Sequence, residues 1–157
     1  MNHSLIPLAT LVIAINACTP STPTTEPPVI ISTLSDAGVR FDGVYRYQPP
    51  GTKLNYLMRF FPEGNVVLVN GPDTTPRASL LRLRLVQNAP QSPNEGLYNV
   101  SVVHRNDSLL WVTYGTKGSI DYAGVMLGAD SVRFNKYSHV NGRSGTMTLL
   151  FEPDRGS

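Results

Sequence analysis

From Asp42 to Glu152 the chain breaks into short runs in which apolar and polar residues alternate, and turn-forming residues separate the runs. Alternation with period 2 puts every second side chain on one side of an extended strand, whereas a helix needs apolar residues three and four apart. Eight runs have this character: Gly43–Gln48, Leu54–Phe61, Asn65–Asn70, Leu97–His104, Ser108–Tyr114, Ser119–Leu127, Ser131–Tyr137 and Gly145–Glu152. Val, Leu, Tyr, Phe and Thr dominate them, the types that suit a pleated, half-buried surface. Between them stand Pro62-Glu63-Gly64, Asn106-Asp107, Gly128-Ala129-Asp130 and Asn141-Gly142, all suited to hairpin loops. Consecutive hairpins build an antiparallel meander, and eight strands close into a small barrel without exposed edges. The expected fold is all-β, an antiparallel eight-stranded up-and-down barrel over residues 41–153 followed by a short tail, 154–157. An open β-sandwich is the alternative.

Residues 71–96 interrupt the meander. Thr75-Pro76 reads as an N-cap followed by proline in the first turn, which opens a short helix near 76–86. Leu80, Leu81 and Leu85 then share a face, with Arg77, Arg82 and Arg84 mostly outside. Alternation of Leu81, Leu83 and Leu85 with Arg82 and Arg84 fits a strand as well. Asn88 to Gly96 reads as a loop.

The N-terminus has a different character. Leu5 to Ile15 is an apolar run of 11 residues broken only by Thr10. A spanning helix needs about 20, so residues 1–17 read as a secretory signal peptide. The run ends in Ile15-Asn16-Ala17-Cys18, which resembles the lipobox of bacterial lipoproteins. That resemblance implies a diacylglycerol thioether on Cys18, cleavage before it and acylation of the freed amine. It also implies membrane attachment, because two or three acyl chains anchor stably where one does not. Thr19 in place of Asp after the cysteine implies, by likeness to enteric lipoproteins, the outer membrane. Residues 18–40 carry four prolines between Pro20 and Pro28 among Ser and Thr, a composition that cannot bury enough apolar surface to order itself. They read as a tether, with Val29-Ile30-Ile31 able to dock as a strand.

The strand-rich part resembles the small bacterial lipocalin-like lipoproteins. Phe41-Asp42-Gly43-Val44-Tyr45, the first hairpin from Tyr56 to Gly64, Ile120-Asp121-Tyr122-Ala123-Gly124, Phe134-Asn135-Lys136-Tyr137-Ser138 and Asn141-Gly142 carry the likeness. Gly43-Val44-Tyr45 stands where lipocalins have Gly-x-Trp.

A net charge of +2 gives no electrostatic footprint for nucleic acid. Cys18 is the single cysteine, so a disulfide within the chain and a multi-cysteine metal site are excluded. His104 and His139 lack a third ligand at metal-binding spacing and read as solvated turn residues. Asp121 is the one candidate general base, with no nucleophile to pair it with. Ser119, Ser131 and Ser144 lie in no nucleophile elbow. No metal or cofactor is expected, and an envelope hydrolase is the remotest alternative.

Binding has more to use. Tyr56, Met58 and Phe60 share one face of their strand and Leu57, Arg59 and Phe61 the other, as in a strand buried on both sides or lining a cavity. With Trp111 and Tyr122 these residues are the candidate ligand contacts. An eight-stranded barrel is wide enough either for its own side chains or for one small ligand. The expected function is a non-catalytic, lipid-anchored envelope module that binds a small hydrophobic ligand or a partner protein. A structural lipoprotein without a small-molecule ligand, docking through strand edges or the Arg-bearing segment 77–84, is the alternative.

Overall fold

The computed structural model describes residues 31–72 and 81–154. Cys18, the prolines that follow it, Thr75-Pro76, Arg77 and Leu80 lie outside the described residues. Ten strands form one sheet: β1 (Ile31–Ser32), β2 (Gly43–Tyr47), β3 (Leu54–Phe61), β4 (Asn65–Pro72), β5 (Leu97–Ser101), β6 (Val103–Arg105), β7 (Ser108–Gly115), β8 (Gly118–Met126), β9 (Ser131–Ser138) and β10 (Arg143–Pro153). The eight expected strands are all present. One of them, Leu97–His104, is divided into β5 and β6, and β1 is added at the front.

The division closes the barrel. The order across the sheet is β1-β6-β7-β8-β9-β10-β2-β3-β4-β5, every neighbouring pair antiparallel. β5 pairs with β4 on one side of the break and β6 pairs with β7 on the other. The chain bends between them at Val102, whose N–H donates to the Gly64 carbonyl at 2.8 Å. One continuous stretch thus hydrogen-bonds to both borders of the meander. The result is a nearly closed up-and-down barrel, consistent with a lipocalin-like fold and not with an open sandwich. Asn106 and Asp107 both take positive φ, 47° and 60°, as the two-residue hairpin β6–β7 requires.

Side chains fill the barrel axis. Tyr45, Met58, Phe60, Val66, Leu68, Leu109, Trp111, Val132, Phe134, Met147 and Leu149 form one buried cluster. At its centre Trp111 meets Phe134 edge-on at 4.6 Å and Phe60 at 5.9 Å, and Phe60 meets Tyr45 at 5.6 Å. Such offset pairs each add about 0.5–1.5 kcal/mol beyond their burial. Residues 33–41 close one end, with Leu34 and Val39 inside the same cluster. Asp36 accepts from the Thr33 N–H and hydroxyl, both at 2.8 Å, and these bonds lower its pKa below the usual carboxylate value. Arg40 bridges Asp42 and Asp130, both at 2.7 Å, and lies over the Phe151 ring. Residues 31–40, expected within the tether, therefore belong to the folded unit. His104 differs from expectation too: it is buried, with its Nδ1 3.1 Å from the Thr33 carbonyl, because β1 pairs alongside it.

A second apolar cluster lies outside the barrel. Val44, Leu57, Val67 and Val69 point outward from β2, β3 and β4, and Leu81, Leu85 and Ala89 cover them. Residues 81–83 are helical, with Leu85 buried and Leu83 exposed, which resolves the helix-or-strand alternative in favour of a helical turn. Leu57 packs outward while Met58 and Phe60 pack inward, so β3 is buried on both sides as its sequence implied. Arg82 clasps the cover in place by donating to the Glu152 and Pro153 carbonyls at 3.0 and 2.9 Å and to Asp154 at 3.2 Å. Arg59 reaches the same Asp154 carboxylate at 2.7 Å and Arg46 reaches Glu152 at 3.3 Å.

Inside, Phe134 lies flat over Gly124 on the neighbouring strand. A β-carbon at Gly124 would fall 1.9 Å from the Phe134 ring, and Trp111 blocks the ring's retreat. Gly124→Ala should therefore destabilise the fold by about 2 kcal/mol through overpacking. Adding Phe134→Leu should recover part of the loss, both read from urea melts; no loss in the single variant would show the ring free to move.

Candidate functional site

A concavity lies on the outer wall of this barrel, and a layer of aromatic side chains lies at the end opposite the plug. The registers place the β2–β3, β7–β8 and β9–β10 connections at the end opposite the 33–41 plug. Inward-pointing residues at that end are Tyr47, Tyr56, Tyr98, Ile120, Tyr122 and Lys136. The Tyr47 and Tyr56 rings sit 6.1 Å apart, Tyr122 stacks on Trp111 at 5.2 Å, and the Lys136 ammonium lies 5.3 Å from the Tyr56 ring centre. Gly145, paired with Lys136 across β9–β10, leaves the lysine stem room to turn inward.

Of the sequence candidates, Tyr56 and Tyr122 lie at this end, and Tyr122 and Trp111 also border the trough described below. Met58, Phe60 and Trp111 lie deeper in the packed core, at 1%, 0% and 4% exposure. Tyr47, Tyr98 and Lys136 were not among the candidates. Lys136 could have been found: it follows Val132 and Phe134 at the alternate positions of β9, a cation on an otherwise apolar face. Burial pushes the Tyr122 hydroxyl up to about 12, against a hydrogen bond with Thr113, and raises Tyr56 also.

The concavity is a trough of about 810 Å³ along β6 to β10, and Trp111, Tyr122 and Lys136 border it together with the outward-facing residues of these strands. Val103, Leu110, Val112, Ala123 and Tyr137 supply its apolar surface, and Arg105, Asp121, Asn135 and Thr146 its polar contacts. The outer face of β2–β4 carries the chain's own cover, whereas no described segment lies over this one. At its rim His139 Nε2 bonds Asp121 at 2.8 Å, and Tyr137 meets the His139 ring edge-on at 4.8 Å. The structure thus unites two residues considered separately from sequence. Both are about half exposed, so water screens the pair heavily, and among the described residues no serine is bonded to it. Arg82 and Arg84, expected to face a partner, are spent within the chain: Arg82 in the clasp and Arg84 on Glu95.

Comparison with known proteins finds no matching family model, no matching curated protein and no matching solved structure.

The raised Tyr122 pKa has a consequence for stability. The folded state holds the neutral phenol to about pH 12 while the unfolded chain ionises near 10.0. This contribution is complete below pH 10, and it is lost as pH rises from there through 12, where the unfolded state releases the proton first. Wild-type stability should fall across that window by urea melts, and Tyr122→Phe should flatten the fall; an identical slope in the variant would contradict it.

Proposed function

We propose that the chain is a non-catalytic, lipid-anchored module of the bacterial cell envelope that takes a small hydrophobic ligand in its outer trough. The single observation that carries the ligand reading is the asymmetry of the outer wall. One half of the barrel covers its outward apolar residues with residues 81–89, while among the described residues nothing lies over the apolar concavity of the other half. Its volume lies within the roughly 300–1,000 Å³ typical of small-molecule sites. Apolar lining with few polar groups at the edges suits a ligand bound mainly by burial, with Asp121, Asn135 and Thr146 available to orient it.

The anchor reading rests on the signal-like run and on Cys18. The geometry is compatible with it. β1 runs antiparallel to β6, so the chain enters the barrel at the plugged end. A membrane attachment at Cys18 then holds that end toward the bilayer and leaves the trough accessible. Twelve residues separate Cys18 from Ile31; at about 3.1 Å per residue for proline-rich chain they reach on the order of 40 Å.

Two measurements test the two halves of the proposal. Radiolabelled palmitate should enter the protein in a bacterial host and leave it in Cys18→Ser, which should also become extractable from membranes; an unlabelled, equally membrane-bound protein would remove the anchor. Nile red, a neutral apolar dye, should brighten on the wild type, and Val112→Glu with Ala123→Glu should weaken its binding at least tenfold with an unchanged melting temperature. Equal binding by that variant would remove the trough.

A further inference from the structure

The trough has a direction and an unengaged charge at one end. Its floor is built of two rows of residues that stand directly opposite one another on neighbouring strands. One row runs Val103, Leu110, Ala123, Asn135 and Thr146 from β6 to β10. The other runs Val112, Asp121, Tyr137 and Ser144 from β7 to β10. Four strand spacings make the longer row about 19 Å long across the sheet, and two residues along a strand set the rows about 7 Å apart. An occupant that fills this floor is elongated and narrow. Ala123, the smallest side chain of the two rows, keeps the middle of the path low.

Polarity is uneven along it. Val103, Leu110, Val112 and Ala123 make the β6–β8 half mostly apolar, whereas Asn135, Thr146 and Ser144 lie on β9 and β10. Several of the polar groups are already engaged. Thr146 donates to Asn135 at 2.8 Å, Asp121 bonds His139 at 2.8 Å, and the Lys136 ammonium is turned to the Tyr56 ring. Arg105 is different. It stands one outward position along β6 from Val103, is exposed, and borders the trough at its apolar end. Among the described residues it makes no ion pair and no side-chain hydrogen bond; their ion pairs all lie elsewhere. A guanidinium with its donors free matches a carboxylate, which can accept two parallel hydrogen bonds from it.

We propose that the trough takes a single-chain anionic amphiphile, a long-chain carboxylate. The carboxylate lies on the Arg105 guanidinium, and the alkyl chain crosses Leu110, Val112 and Ala123 toward Tyr137. This inference rests on the trough being the ligand site and adds the class of ligand and the direction in which it lies. The occupant lies against the outside of the barrel, because the aromatic core fills the axis.

The test uses the full chain and three probes kept below their micelle concentrations: dodecanoate, dodecan-1-ol and octanoate. Each is followed by displacement of Nile red, by calorimetry and by the emission of Trp111, which borders the trough. Dodecanoate should bind at least tenfold more tightly than dodecan-1-ol. Octanoate should bind at least tenfold more weakly than dodecanoate, as four fewer methylenes at about half burial require. Arg105→Gln should cut the preference for acid over alcohol at least fivefold, and Arg105→Lys should keep most of it; melting temperatures establish that both variants fold. Equal binding of acid and alcohol, or an unchanged preference in Arg105→Gln, would overturn the anionic head. Octanoate binding as tight as dodecanoate would overturn the elongated ligand. Nile red that binds and is not displaced by dodecanoate would overturn this inference and leave the trough as a site, whereas failure of Nile red and dodecanoate alike to bind would remove both.

Discussion

The structure depends on one bend. Residues 97–105 are a single extended stretch that leaves one neighbour and takes up another, with Val102 held to the Gly64 carbonyl where the change occurs. Without it the meander would end in two borders, each with a row of unsatisfied backbone groups. With it the first and second halves of the molecule, β2–β4 and β7–β10, share a border and enclose a common axis. β10 completes the ring by pairing with β2, so the two joins of the barrel lie on opposite sides.

Closure on this scale leaves no room to spare. Trp111, Phe134, Phe60 and Tyr45 interlock across the axis, and Gly124 is present because a neighbouring ring occupies the space of its side chain. A filled axis directs binding to the periphery, to the wall that no described residue covers. The cover over the other wall is fastened by charge as well as by leucines. Three arginines converge on Glu152 and Asp154, which ties residue 82 to the end of the last strand.

Much of this was legible in the sequence because strand alternation is a local signal. The eight runs and their hairpins follow from it, and the two apolar faces of Tyr56–Phe61 announced a strand enclosed on both sides. What escaped was set by contacts distant in sequence. Nothing within Leu97–His104 marks Val102 as a corner, since the bend answers to the spacing of two other strands. Arg82 looked outward until the chain's end came round to meet it, 70 residues on. His104 read as a turn residue because its cover, β1, belongs to a stretch whose prolines suggested a tether. Asp121 and His139 stand 18 positions apart and meet only through the β8–β9 pairing. Lys136 is the exception: its place in the alternation with Val132 and Phe134 is a local signal.

The five strands under the trough carry two independent texts, interleaved letter by letter. Trp111, Tyr122 and Phe134 turn their side chains to the interior; Val112, Ala123 and Asn135, each one residue along, turn theirs to the wall. Substitution in the second text leaves the first intact, so selection can retune what this wall recognises at little expense to folding. A lineage of such barrels would keep its inner residues nearly fixed while the outer ones drift toward different occupants.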